Sequence, residues 1–166
     1  MMPKRKFLST EAQKKLQRFC VYQERCHQEV WAKLYSLGLS KSTSETIVSN
    51  LIEKDFLNET RFAYGFARGK FNQKKWGKNR ILSELKKRNI SDYNCNKALL
   101  AINEADYEET FLCLFEKRKE MVKHYSPLVQ KRKIMDYLLY RGWEKDRIYT
   151  APVSYTHLTL PTKRIV

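Results

Sequence analysis

The chain has 166 residues, 42% of them hydrophobic, enough for a modest core and too much for a disordered chain. Lys and Arg number 33 against 18 Asp and Glu, a formal charge of +15 that argues for an acidic partner such as nucleic acid or a nucleoprotein surface. No run is apolar for membrane-spanning length, and the basic start at Met1–Phe7 leads into Ser, Thr, Glu and Gln instead of the apolar stretch an export signal needs.

In chain order, apolar residues recur at spacings of three and four, the pattern of short amphipathic helices. Thr10 with Gln13 has capping-box spacing and opens a helix carrying Leu16, Phe19 and Cys20. A helix with Val30 and Leu34 follows and stops at Gly38-Leu39. Ser42 with Glu45 then opens one with Ile47, Val48, Leu51 and Ile52. The next carries Phe62 and Phe66, and another carries Ile81 and Leu85 and stops at Asn89-Ile90. Ser91 can cap a helix with Ala98, Leu99 and Ile102. Phe111, Leu112 and Phe115 share the following helix, and Ser126-Pro127 starts one with Ile134 and Leu138 that stops at Gly142-Trp143. The chain thus reads as eight or nine helices, with no alternating strand before residue 150.

One pattern recurs in this order: an apolar pair at i and i+4, then Gly or Asn four residues on, then an apolar residue. It starts at Val30, Ile81 and Ile134, offsets of 51 and 53 residues. The physical content is a two-residue helix face, a residue that tolerates the left-handed C-cap, and an apolar side chain folding back on the last turn. Each such helix has one before it and one after it, so the unit is three helices. A unit of roughly fifty residues buries little surface alone, so the expected fold is all-α: three tandem three-helix repeats in an elongated array, open to curvature. The expected modules are 1–56, 57–104 and 105–150.

The stretch LNETRFAYGFARGKF from Leu57, followed by a basic linker and WGKNRILSELKKRNI to Ile90, resembles the central signature of the RecX family. Phe62, Ala63, Phe66, Arg68, Gly77, Arg80, Ile81, Leu85, Lys87 and Ile90 match it. The resemblance extends through Glu29-Val30, Lys33-Leu34, Gly38-Leu39 and Glu53–Leu57, and weakly to about Tyr149. Three departures stand out. Asn89 replaces a usual Gly, Cys26 sits where a Ser cap is expected before Glu29, and Thr150-Ala151-Pro152 interrupts the last helix. The segment 151–166 has no acidic residue and a Thr/Leu/Val bias, and it reads as a non-native or frame-shifted tail. The resemblance implies a cytoplasmic, monomeric regulator that binds the RecA recombinase filament on single- or double-stranded DNA and modulates it, mainly by inhibiting strand exchange and ATP hydrolysis or by favouring filament loss, in the control of repair and recombination.

No enzyme constellation emerges from the residues: no phosphate-cradling glycine loop, no metal-ligand spacing and no nucleophile with a base. No cofactor is expected. Cys20, Cys26, Cys95 and Cys113 lack a C-x-x-C pair or a His cluster and read as free thiols in a reducing cytoplasm. Glu104, Asp106, Glu108 and Glu109 lie at a helix start, where carboxylates favour the helix dipole. His27 and His124 are isolated. The candidate contact site is the basic run Arg68, Lys70, Lys74, Lys75, Lys78, Arg80, Lys86, Lys87 and Arg88, with Glu84 its single acid. So few balancing acids, with Phe71 and Trp76 interleaved, favour a contact surface over a merely solvated helix face. Trp76 is read as stapling repeats, with base stacking the alternative. Lys117, Arg118, Lys119, Lys123, Lys131, Arg132 and Lys133 form a second patch.

A helix-turn-helix-like transcription factor is the rival reading, and it requires a recognition helix and a preferred duplex site. A metal-dependent nuclease is disfavoured by the missing ligands. Charge alone predicts sequence-tolerant DNA binding whose affinity falls steeply as salt rises. Titrating unrelated oligonucleotides at several salt concentrations tests this, and sequence-selective binding insensitive to salt would exclude it.

Overall fold

The computed structural model describes residues 9–151, and all regular structure in them is helical. The helices are α1 (Ser9–Tyr22), α2 (His27–Ser36), α3 (Lys41–Glu53), α4 (Glu59–Lys74), α5 (Lys78–Lys87), α6 (Asp92–Leu100), α7 (Glu104–Met121) and α8 (Pro127–Tyr140). A further helical segment covers 145–151. Ala151 is helical and buried, while the rest of the suspected tail lies outside the described residues.

The recurring motif closes α2, α5 and α8, and its physical basis holds at each. Gly38, Asn89 and Gly142 all have positive φ, at 73°, 58° and 90°. After Asn89 and Gly142 the chain turns back with paired bonds. Ile90 N donates to Leu85 O at 3.2 Å and Asn89 N to Lys86 O at 3.0 Å; Trp143 N donates to Leu138 O at 3.1 Å and Gly142 N to Leu139 O at 3.0 Å. These are Schellman closures that satisfy the last carbonyls. Asp55 at the end of α3 and Lys75 after α4 are also left-handed, with φ of 61° and 57°. Asp tolerates that conformation better than most residues, whereas a lysine does not announce it in a sequence.

Starts depart from the expected ones in three places, and the first is Thr10, which lies inside α1 and does not cap it. Ser40, not Ser42, caps α3, its hydroxyl accepting from Thr43 N at 3.3 Å. Ser42 instead lies inside the first turn, where its carbonyl accepts from Thr46 Oγ1. Cys26 caps α2 with help from Glu29, whose carboxylate accepts the Cys26 N–H at 3.0 Å. The weak cap residue is thus offset by the reciprocal bond. Ser91 caps α6 as expected, accepting from Asn94 N at 3.3 Å.

The contacts group into two compact units. The first comprises the described residues through Phe66 together with Leu85–Ala98, and the second comprises Ala67–Glu84 together with those from Leu99 on. The core of the first unit is Ala12, Leu16, Cys20, Val30, Leu34, Ile47, Val48 and Leu51, from helix faces with the expected spacing, together with Leu57 from the link between α3 and α4. Arg61 ties the start of α4 into this unit. It bonds Glu24 at 2.7 Å, Asp55 at 3.0 Å and the Asp55 carbonyl at 2.9 Å.

The second unit is built on aromatic rings. Trp143 and Tyr107 are fully buried with centroids 4.5 Å apart, flanked by Phe111 at 5.4 Å from Trp143 and Phe71 at 5.7 Å from Tyr107. The turn between α4 and α5 lies directly on the end of α8. Gly77 N donates to Arg141 O at 2.8 Å, Asn79 N to Gly142 O at 3.0 Å, and the Trp143 indole to Lys75 O at 3.3 Å. The approach is so close that a Cβ on Gly77 would overlap the Gly142 carbonyl, and one on Gly142 would overlap the Arg80 backbone.

Gly38 has open space around it although its φ is also positive. Gly38→Ala therefore adds only left-handed strain, about 1 kcal/mol, whereas Gly142→Ala adds a backbone collision and costs about 2–5 kcal/mol. Urea unfolding of the two variants checks the difference, and equal losses would contradict the close approach.

Candidate nucleic-acid and partner interface

The basic run is continuous in sequence but is shared between the units. Arg68, Lys70, Lys74, Lys75, Lys78 and Arg80 belong to the second unit, and Lys86, Lys87 and Arg88 to the first. In the first unit, Lys86 and Lys87 are exposed, with Lys86 Nζ 3.9 Å from the Asp92 carboxylate. The Arg88 guanidinium is half-buried over the Phe66 ring at 4.7 Å.

In the second unit the residues divide by role. Arg68 and Lys74 project from α4 as exposed side chains, and Lys75 is exposed in the left-handed turn that follows. Lys78 is engaged internally: its ammonium lies 3.3 Å from the Glu104 carboxylate and 4.6 Å from the Tyr107 ring centroid. Arg80 is half-buried, its guanidinium 4.3 Å from the Trp76 centroid and 4.8 Å from the Tyr140 centroid, and Nη1 donates to the Tyr140 carbonyl at 3.2 Å. Lys70 also lies over Trp76, at 5.2 Å. Trp76 thus has two cations over its ring and acts as a packing element of this unit.

Sequence reasoning missed Tyr137, Tyr140 and Arg141. Arg141 Nη1 donates to the Lys74 carbonyl at 2.7 Å, and its guanidinium lies 4.8 Å from the Tyr137 centroid. Arg118, from the second patch, lies over the same ring at 4.9 Å. The only sequence signal was a Tyr-Arg pair just before the Gly142 C-cap, and it reads as an ordinary helix end. Elsewhere in the second patch, Lys123 pairs with Glu120, Arg132 with Asp136 at 4.0 Å, and Lys133 lies over Tyr125 at 4.6 Å.

The acidic residues at the start of α7 face cations. Arg147 bonds Glu104 at 2.9 Å and pairs with Glu108 as well. The bond from Arg147, reinforced by Lys78, holds the Glu104 carboxyl below its ordinary value. Glu104 and Asp106 also occupy the first turn of α7, capped by Asn103, which accepts from Asp106 N at 3.0 Å. Deeper in, the Tyr107 hydroxyl accepts from Lys78 N at 2.9 Å and donates to Glu144 at 2.8 Å. Burial pushes the phenol strongly up from its ordinary value, so it stays a neutral donor. Among the described residues no group of three or more His, Cys, Asp and Glu could hold a metal ion, and the four cysteines are unpaired.

The family model described as RecX, second three-helix domain, matches residues 58–99. The chain is 24% identical over 127 residues to the regulatory protein RecX of Bacillus cytotoxicus, covering 76% of this chain and 47% of that one. It is 25% identical over the same span to that of Bacillus mycoides. The crystal structure of RecX from Lactobacillus salivarius superposes with a TM-score of 0.77 at 27% identity, covering 86% of this chain and 92% of that one. The chain is therefore similar to RecX-family proteins in both sequence and fold. A second solved regulatory protein RecX, at 18% identity and a TM-score of 0.75, shares the fold. The chain spans about half the length of the curated relatives it matches.

Tyr107→Phe removes the acceptor for Lys78 N–H and the donor to Glu144, leaving buried polar groups unmet at a cost of about 1–3 kcal/mol. Chemical denaturation with far-UV circular dichroism tests this. Native helicity with lowered stability is expected, and unaltered stability would show that the relay contributes nothing.

Proposed function

We propose that this chain restrains a RecA recombinase filament on DNA, inhibiting strand exchange and ATP hydrolysis in the control of repair and recombination. It acts in the cytoplasm by binding, as a monomer and without catalysing a reaction. The observation that carries the reading is the exposed cationic surface of the second unit, Arg68, Lys74 and Lys75, in a chain of RecX-family sequence and fold. A polyanionic nucleoprotein is the partner that such a surface fits. No described helix is long and apolar enough to cross a membrane.

We retain the division into modules 1–56, 57–104 and 105–150 as the organisation that presents successive surfaces to successive filament protomers. Lys86, Lys87 and Arg88, which belong to the first unit, are proposed contact residues as well. Lys70, Lys78 and Arg80 serve the surface of the second unit from beneath, because their side chains pack on Trp76, Tyr107 and Tyr140.

Reversing Arg68, Lys74 and Lys75 together to Glu leaves helicity intact and weakens inhibition of the recombinase ATPase by at least about tenfold, since loss of several charge contacts exceeds 1.4 kcal/mol. Co-sedimentation with RecA filaments on single-stranded DNA, followed by the ATPase rate, is the test. Unchanged inhibition would reject this surface, and absence of the wild-type chain from the pellet would overturn the function.

A further inference from the structure

Tyr140 is 75% exposed although it sits at the end of α8, between the buried Leu138 and the buried Trp143. Its backbone and ring are both fixed by Arg80: Nη1 donates to its carbonyl at 3.2 Å, and the guanidinium lies 4.8 Å from the ring centroid. Arg80 is itself held against Trp76 at 4.3 Å. The ring is therefore pinned by one cation and largely open to water. Trp76, with Lys70 and Arg80 both over its ring, and Tyr137, with Arg118 and Arg141 over its own, have no comparable opening.

The close approach of Gly77 to Gly142 brings the end of α8 beside the end of α4. Arg141, the residue after Tyr140, bonds the Lys74 carbonyl at 2.7 Å. Lys74 and Lys75, both exposed, thus lie in the segment against which the end of α8 packs, in the same unit as an exposed aromatic ring held by Arg80. Phosphate contacts need flexible cations, and base stacking needs a fixed ring with a free face. Those two requirements meet here, from residues about 65 positions apart in the chain.

We propose that Tyr140 is a base-stacking residue that makes this surface prefer single-stranded nucleic acid over duplex, with Lys74 and Lys75 on the adjoining phosphates. The preference follows from access. A single strand exposes its base faces to the ring, whereas in a duplex they are stacked inside and only phosphates remain for the lysines. Arg80 is the positioning residue, holding the ring without consuming its outer face. The inference rests on reading this surface as facing nucleic acid.

The test uses the full chain and fluorescein-labelled oligothymidylate of about 20 nucleotides, beside a duplex of equal length, followed by anisotropy. Wild type is expected to bind the single strand more tightly than the duplex. Tyr140→Ala loses roughly tenfold for the single strand with little change for the duplex. Tyr140→Phe retains wild-type affinity because the ring face is kept. Wild-type single-strand affinity in Tyr140→Ala overturns the proposal, as does equal weakening in Tyr140→Phe or displacement of the oligonucleotide by polyglutamate at matched charge. The recombinase ATPase assay separates the two readings. Inhibition by wild type with no effect of Tyr140→Ala on single-strand affinity removes the stacking site alone. Single-strand preference lost in Tyr140→Ala, with no inhibition by wild type, removes the filament reading alone.

Discussion

The backbone contact between Gly77 and Gly142 is the constraint on which the second unit depends. Neither position has room for a Cβ, and at Gly142 the left-handed φ of 90° independently favours glycine. The contact is closed on both sides by hydrogen bonds, from Gly77 N to Arg141 O and from Asn79 N to Gly142 O. Because the chain enters α5 there, Lys78 and Arg80 are delivered directly onto Tyr107 and Tyr140. Trp143 then fills the space beneath, its indole N–H satisfied by the Lys75 carbonyl. A buried indole without that acceptor would be a liability, so the Lys75 turn and the tryptophan require each other.

This arrangement explains why a strongly basic segment is stable. Like charges along Arg68–Arg88 repel, and an ordinary helix would pay for that in solution. Here much of the charge is absorbed by ring faces and carboxylates: Lys70 and Arg80 on Trp76, Lys78 on Tyr107 and Glu104, and Arg88 on Phe66. The cations that remain at the surface are Arg68, Lys74 and Lys75 in the second unit, where Lys70, Lys78 and Arg80 pack on rings, and Lys86 and Lys87 in the first. Such division of labour separates residues that build a surface from residues that present it, and substitutions in the two classes have different consequences.

The acidic start of α7 belongs to the same economy of charge. Glu104 serves the helix dipole, Arg147 and Lys78 together, and Glu108 pairs with Arg147 from the second turn. Their clustering therefore has a structural account. In the first unit Arg61 plays the corresponding part, bonding Glu24 and Asp55 and closing the left-handed turn at the end of α3.

The sequence by itself determined the helical class, the three recurring closures and most of the core, because all three are local. Apolar spacing along one helix sets which face is buried, and Gly or Asn at a C-cap declares its φ; Leu34, Leu85 and Leu138 are fully buried where the pattern puts them, and Gly38, Asn89 and Gly142 are left-handed. It also located the positive charge, which is a count. Only the tertiary structure decided which of those charges are presented. Whether Lys78 faces solvent or Glu104, and whether Arg80 is free or clasped between Trp76 and Tyr140, depends on groups 26 and 60 residues away that no local pattern relates. For the same reason Tyr140 and Arg141 were invisible as site residues. Their placement follows from the glycine contact that sets the end of α8 against the α4–α5 turn, with Arg141 on the Lys74 carbonyl and Tyr140 on Arg80, and a glycine in a sequence does not say which backbone it lets approach.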